Sequence, residues 1–253
     1  MSFECLTRLD GRIAVIAGGT GAIGMATARR MVRLGATVVV LARRSEQQFA
    51  ETLAELPGSG HYGVHASITD SASLRAAAEA VRARSGRCDI LVNSAGFTKS
   101  VPAADLEGLN DEVIDEVMAV NFRGVFATIR AFVPLLKATG DAVIVNVSSI
   151  AAFTGVGSNL AYSASKAALD LVSDSLAKVL APEVRIMTVS PGVVDTSFVP
   201  GRGPDFNSKT APTIPLKRIG TAEDVAVAIE ACIMQLRFAT GQRVVVDGGR
   251  HLR

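Results

Sequence analysis

Ile13-Ala14-Val15-Ile16-Ala17-Gly18-Gly19-Thr20-Gly21-Ala22-Ile23-Gly24 runs from an unbroken apolar stretch into closely spaced glycines. An apolar run ended by a turn signal reads as a strand covered on both faces. Glycine at 18, 21 and 24 lets the backbone turn tightly and approach a ligand, because no Cβ stands in the way. Residues 22–34 keep helical spacing, so the turn empties into a helix N-terminus. Unpaired amides and the helix dipole favour an anion there, such as a pyrophosphate. The unit predicts an α/β fold that holds a phosphate-bearing ligand at its first turn.

The same alternation continues outward. Strand-like runs occupy 12–17, 37–41, 61–66, 89–92, 142–147, 184–189 and 243–247, and helical stretches lie at 22–34, 46–55, 71–85, 111–136, 159–180 and 222–238. Repeated β-then-α order requires right-handed crossovers and a parallel sheet. The expectation is a Rossmann-type doubly wound sheet of about seven strands with helices on both faces, in one domain over 1–253. Ser45 with Gln48, and Thr221 with Asp224, have the capping-box form that starts a helix. One segment breaks the rhythm: 197–216 carries four prolines and two glycines and is expected to stay irregular, as a functional loop.

Composition narrows the classes. The 253 residues are 49% hydrophobic, lack Trp and carry a formal charge of +2. That balance suits a buried parallel sheet and gives no general attraction to nucleic acid. Cys5, Cys88 and Cys232 are odd in number and far apart, forming neither a disulfide framework nor a metal-ligand spacing, and His61, His65 and His251 read as structural. The first residues have no basic head followed by an apolar run, and no run is expected to span a bilayer. A cytoplasmic protein without nucleic-acid, membrane or metal partners is expected.

Two further stretches carry chemistry. The second strand ends in Ala42-Arg43-Arg44, with Ala42 where a carboxylate would serve ribose hydroxyls. Arginine instead suits a 2′-phosphate, so Arg43 and Arg44 favour NADP(H), with NAD(H) admitted. Tyr162 and Lys166 stand four apart on a helical stretch, hence on one face. An ammonium beside a phenol favours the phenolate, which lets tyrosine exchange a proton near neutral pH. Ser149, thirteen positions before Tyr162 at the end of a strand, is placed to hold the same substrate oxygen.

With Asn93-Ser94-Ala95-Gly96, Val120-Asn121-Phe122-Arg123-Gly124, Pro191-Gly192-Val193-Val194-Asp195-Thr196 and Asp247-Gly248-Gly249, these stretches give a chain that resembles the short-chain dehydrogenase/reductase family from about Leu9 to Gly249. The likeness is to its branch of roughly 250-residue enzymes. The glycine turn departs from that branch: Ala17 and Ala22 stand where Thr and Gly are usual. Its spacing is that of the family's extended branch.

The resemblance implies a set of roles. Tyr162 is the general acid in reduction and the base in oxidation; Lys166 also binds the nicotinamide ribose. Ser149 orients the substrate oxygen, and Asn121, where the helix is expected to open before Gly124, holds a water linking Lys166 to solvent. Gly18, Thr20, Gly21, Ile23 and Gly24 take the pyrophosphate, Ser67 and Ile68 the adenine, and Asn93, Ala95 and Gly96 the ribose. Pro191, Gly192, Val194 and Thr196 hold the nicotinamide carboxamide. The 197–216 segment covers a small carbonyl or alcohol substrate. Helices 111–136 and 159–180 with the last strand form a homotetramer, or a dimer. The implied activity is NADP(H)-dependent interconversion of a carbonyl and a secondary alcohol. A cofactor-sensing protein would not need the acid Tyr162, and an extended-branch epimerase would need a larger C-terminal domain.

Overall fold

The computed structural model describes residues 5–252. There the chain forms a seven-stranded sheet with every neighbouring pair parallel. β1 (Ile13–Ala17), β2 (Thr37–Ala42), β3 (Tyr62–His65), β4 (Ile90–Asn93), β5 (Ala142–Val147), β6 (Val184–Pro191) and β7 (Gln242–Val246) lie in the order β3-β2-β1-β4-β5-β6-β7. Strand order therefore reverses between β1 and β4. Side chains just beyond the carboxyl ends of these two strands flank the crevice where such sheets bind ligands.

The connections are α1 (Ala22–Arg33), α2 (Glu46–Ala54), α3 (Ser71–Ser85), α4 (Asp111–Met118), α5 (Val125–Ala138), α6 (Ala151–Thr154), α7 (Leu160–Leu180), α8 (Phe206–Thr210) and α9 (Ala222–Met234). They cover both faces, and the strands show how. Ile13, Val15 and Ala17 pack with Leu74 and Val81 of α3, Phe132 and Leu136 of α5 and Leu169 of α7. Ala14 and Ile16 point the other way, to Met25 and Met31 of α1 and Val225 and Ile229 of α9. A period of two in the strand thus meets apolar helix faces above and below. Both capping boxes form: Ser45 and Thr221 accept from the backbones of Gln48 and Asp224.

Three expectations are corrected. The helical run 111–138 is 28 residues long and contains an 18-residue window of mean hydropathy 1.3, enough by length and composition to cross a bilayer. Half of that apolar window is buried inside the fold, because α5 turns Val125, Ile129, Phe132 and Leu136 into the core. The 197–216 segment is not wholly irregular: it contains α8 and a 3₁₀ turn, Ala211–Thr213. Proline opens rather than breaks that turn, since Pro212 lies in its first positions, where an amide has no helical partner. The last helix ends at Met234, short of 238. The guanidinium of Arg185, from β6, takes the carbonyls of Cys232, Ile233, Leu236 and Ala239 there.

The helical stretch expected over 111–136 opens before Gly124, at the place the resemblance implied. Ala119–Gly124 forms a π-helical turn between α4 and α5, with Asn121 inside it. Gly124 permits the wide turn, because a Cβ there would stand 3.0 Å from the Ala119 carbonyl oxygen and 2.9 Å from that of Ile68.

Candidate active site

Sheet register brings the expected residues to one level. Ala17, at the end of β1, pairs with Asn93 of β4, and Asn93 pairs with Asn146 of β5. The glycine turn leaves β1 at this height. Gly18 adopts φ +78, and a Cβ on it would lie 2.5 Å from the Ala95 amide nitrogen, so the turn and the β4 loop touch through bare backbone. Ser94 fastens the loop by donating its hydroxyl to the Ala17 carbonyl at 3.0 Å. A Cβ on Gly24 would overlap the Gly18 carbonyl, which is how α1 closes onto the turn.

Several features fit a dinucleotide. Gly21 and Ala22 are exposed and the first turn of α1 carries no acidic residue, which leaves the helix N-terminus open to a pyrophosphate. Asn93 is buried, donates its amide to Asn146 Oδ1 at 2.8 Å, and leaves its own Oδ1 without a partner among the described residues. A buried orphan acceptor at the crevice floor suits a hydroxyl donor from a ligand. Arg43 and Arg44 emerge exposed beyond β2, and neither guanidinium has an ion-pair partner among the described residues. Ser67 and Ile68 follow β3, where the Ser67 hydroxyl meets that of Thr69 at 3.1 Å.

On the other side of the crevice, Asn159 starts α7 by accepting from the Tyr162 amide at 2.6 Å. Its own amide group donates to the Lys99 carbonyl at 2.7 Å, tying that helix end to the β4 loop. Lys166 follows one turn after Tyr162, buried, with Nζ 5.8 Å from the phenol ring centroid. It donates to the Val147 carbonyl at 2.8 Å. Ser149 accepts from the Ala151 amide at 3.1 Å, which fixes its hydroxyl at the head of α6. The Asn121 side chain is bound in both directions to the Phe97 backbone, at 2.8 and 2.9 Å, and donates to Ser165 at 3.2 Å. Pro191 ends β6; Val194 bridges to Gly220, and Thr196 accepts from the Phe198 amide at 3.4 Å.

The electrostatics correct one expectation. Burial pushes the Tyr162 phenol up to about 12, while the Ser149 hydroxyl and the charge of Arg202 work to lower it. Lys166 is not among the groups that act on it. The lysine is itself held down to about 8 by burial, against the pull of Asp170 one turn further along α7. In this state the ammonium serves the β5 carbonyl, and Tyr162 keeps its proton throughout the neutral range.

Sequence reasoning missed two parts of this region. Asn146 donates to the Ser173 hydroxyl at 2.9 Å, completing a buried chain Asn93–Asn146–Ser173 under the crevice. Its signal was a lone amide inside the apolar run of β5. Arg202, in the segment after β6, reaches back towards Tyr162, and nothing in the local pattern of glycine and proline announced that.

A family model described as enoyl-(acyl carrier protein) reductase matches residues 18–251. The chain belongs to the short-chain dehydrogenase/reductase family. It is 32% identical to a 3-oxoacyl-(acyl-carrier-protein) reductase from Aquifex aeolicus, over 96% of this chain and 98% of that one. It is also 32% identical to a 3alpha-hydroxysteroid dehydrogenase from Mediterraneibacter gnavus, over 95% and 97%. A solved dehydrogenase/reductase from Sinorhizobium meliloti superposes with a TM-score of 0.87 at 32% identity, over 96% of each chain. As a short-chain dehydrogenase/reductase the protein is an oxidoreductase for carbonyl or CH–OH groups with a nicotinamide cofactor.

Proposed function

We propose that this enzyme reduces a ketone to a secondary alcohol with NADPH, and runs the reverse reaction with NADP⁺, using Tyr162 as the proton donor and acceptor. The observation that carries the reading is the meeting of Tyr162, Ser149 and Lys166 beside the ends of β5 and β6, with the phenol held protonated. The bound nicotinamide supplies or accepts the hydride at the carbonyl carbon. Ser149 donates a hydrogen bond to the carbonyl oxygen, which grows in strength as negative charge develops there. Tyr162 then gives its proton to that oxygen. Lys166, once it releases the Val147 carbonyl for the ribose hydroxyls, lies close enough to stabilise the tyrosinate left behind. Asn121, in the π-helical turn, and a water held there return the proton from solvent.

Gly18, Thr20, Gly21, Ile23 and Gly24 would hold the pyrophosphate, Ser67 and Ile68 the adenine, and Asn93, Ala95 and Gly96 the ribose. Pro191, Gly192, Val194 and Thr196 would hold the carboxamide. Arg43 and Arg44, free of ion pairs among the described residues, support NADP(H) over NAD(H). Residues 197–216 act as the lid, supported by the contact of Phe198 with Tyr162. Leu171 and Val179 are exposed on α7, which supports assembly through the long helices into a homotetramer, or a dimer. The free thiols suit the reducing cytoplasm.

The test is a panel of ketones and secondary alcohols followed by nicotinamide absorbance, with Tyr162→Phe as the partner variant. Loss of the proton donor is expected to lower turnover by about 10²–10⁴-fold, with NADPH binding retained. Near-normal turnover by the variant would remove Tyr162 from the mechanism.

A further inference from the structure

Arg202 stands between Gly201 and Gly203 in the lid, and its guanidinium is fixed from two sides. Nη1 donates to the Val194 carbonyl at 3.1 Å, and the group lies 4.4 Å from the ring centroid of Phe206. The side chain is partly buried, and burial is the main influence drawing its pKa down, although Asp195 and Tyr162 oppose this. Its charge is felt at the Tyr162 phenol. Among the described residues no carboxylate comes within ion-pair distance of it. Asp195, the carboxylate whose charge acts on it, is engaged by the Asn207 amide at 2.7 Å. Arg250 adds a second positive charge to the same neighbourhood.

A guanidinium has five N–H donors, and among the described residues only one of these is hydrogen-bonded. A partly desolvated cation is costly to leave unpaired, and a planar fork matches a carboxylate through two parallel hydrogen bonds. Val194 belongs to the segment assigned above to the carboxamide, and Phe198, four residues before Arg202, has its ring centroid 6.0 Å from that of Tyr162. The open donors are therefore held beside the reacting end of the crevice, far along the sheet from the Arg43 end.

We propose that Arg202 binds a carboxylate on the substrate, so that the preferred substrates are keto acids and the corresponding hydroxy acids. The inference rests on the ketone-reductase reading. In that reaction the keto carbon takes the hydride of NADPH and the oxygen takes the Tyr162 proton, giving a hydroxy acid and NADP⁺. Apolar carbon between ketone and carboxylate would lie against Phe198.

The experiment compares 2-, 3- and 5-oxohexanoate with their methyl esters, using the wild type, Arg202→Leu and Arg202→Lys. At least one acid is expected to exceed its ester in kcat/KM by about ten- to a hundredfold, the worth of a charge-assisted hydrogen bond. Arg202→Leu should bring that ratio towards one, and Arg202→Lys should restore part of it, with the NADPH dissociation constant unaltered in both. Esters reduced as well as acids by the wild type would overturn the proposal. So would a weakened NADPH affinity with the acid-to-ester ratio kept, since the guanidinium would then serve the cofactor. Calorimetric binding of hexanoate to the NADP⁺ complex separates the two levels. Arg202-dependent hexanoate binding without turnover of any carbonyl would keep the carboxylate site and sink the reductase reading. Ester turnover with no Arg202-dependent hexanoate binding would do the reverse.

Discussion

Lys166 Nζ is bound to the Val147 carbonyl at 2.8 Å, so the ammonium is tied to the end of β5 in the free protein. Burial lowers its pKa from the ordinary 10.5 to about 8, and the groups around it are Tyr162 and Asp170 on α7 and, through Asp170, Arg243 of β7 at 2.9 Å. Between these two pH values the unfolded chain holds a proton that the folded chain has released, so stability rises with pH across the window. The contribution is complete above 10.5 and is lost as pH falls through about 8. Without cofactor, the melting temperature of the wild type relative to Lys166→Met should therefore improve from pH 8 to 10.5. A difference that stays constant over that range would reject the account.

Cofactor choice rests on two exposed cations beyond β2. NADPH is expected to bind more tightly than NADH, and Arg43→Ala should narrow the gap by about tenfold, as loss of a charge-assisted contact would. Fluorescence titration with both nucleotides measures it. Equal affinities in the parent protein would set the expectation aside.

The buried chain Asn93–Asn146–Ser173 makes Asn146 the shared member. Asn146→Ala removes the acceptor of one neighbour and the donor of the other, in a site closed to water. Leaving buried polar groups unpaired costs about 1–3 kcal/mol each. Urea unfolding should show a loss of at least ~2 kcal/mol with the slope unchanged. A loss below 0.5 kcal/mol, to use the ordinary surface range of about ±0.5 kcal/mol, would mean the chain carries no stability.

Phe198 touches the Tyr162 ring yet is exposed, as a residue of a cover that still has surface to bury would be. Hydrogen exchange over 197–216 should slow when NADP⁺ and a substrate alcohol are both bound, most of all outside α8. Identical protection with and without ligand would leave the cover without a moving part.

The inner strands β1, β4 and β5 were legible because they are buried along their whole length and read as short apolar runs bounded by turn signals. The glycine turn was legible because Gly18 and Gly24 fill positions no side chain fits. Ser149, Tyr162 and Lys166 could be named from spacing. The direction of the Tyr162 shift could not, since it depends on burial by residues distant in sequence. Arg202 escaped for a related reason: its partners Val194 and Phe206 flank it in the chain, but its reach to Tyr162 exists only once the segment folds back. The short α8 was hidden because proline counts against helix on average while the five residues Phe206–Thr210 contain none.

The wide turn at 119–124 also divides the labour of one rod. Ahead of it, α4 lies on α7; behind it, α5 lies on α3. Successive residues of a helix are about 100° apart around its axis. Removing one residue from the turn would rotate the two halves against each other by that angle, so Val117 and Phe132 could no longer both point inward. The bulge acts as a phase shifter between two packing seams, and a single-residue insertion or deletion in this stretch would put one seam out of step with its partner.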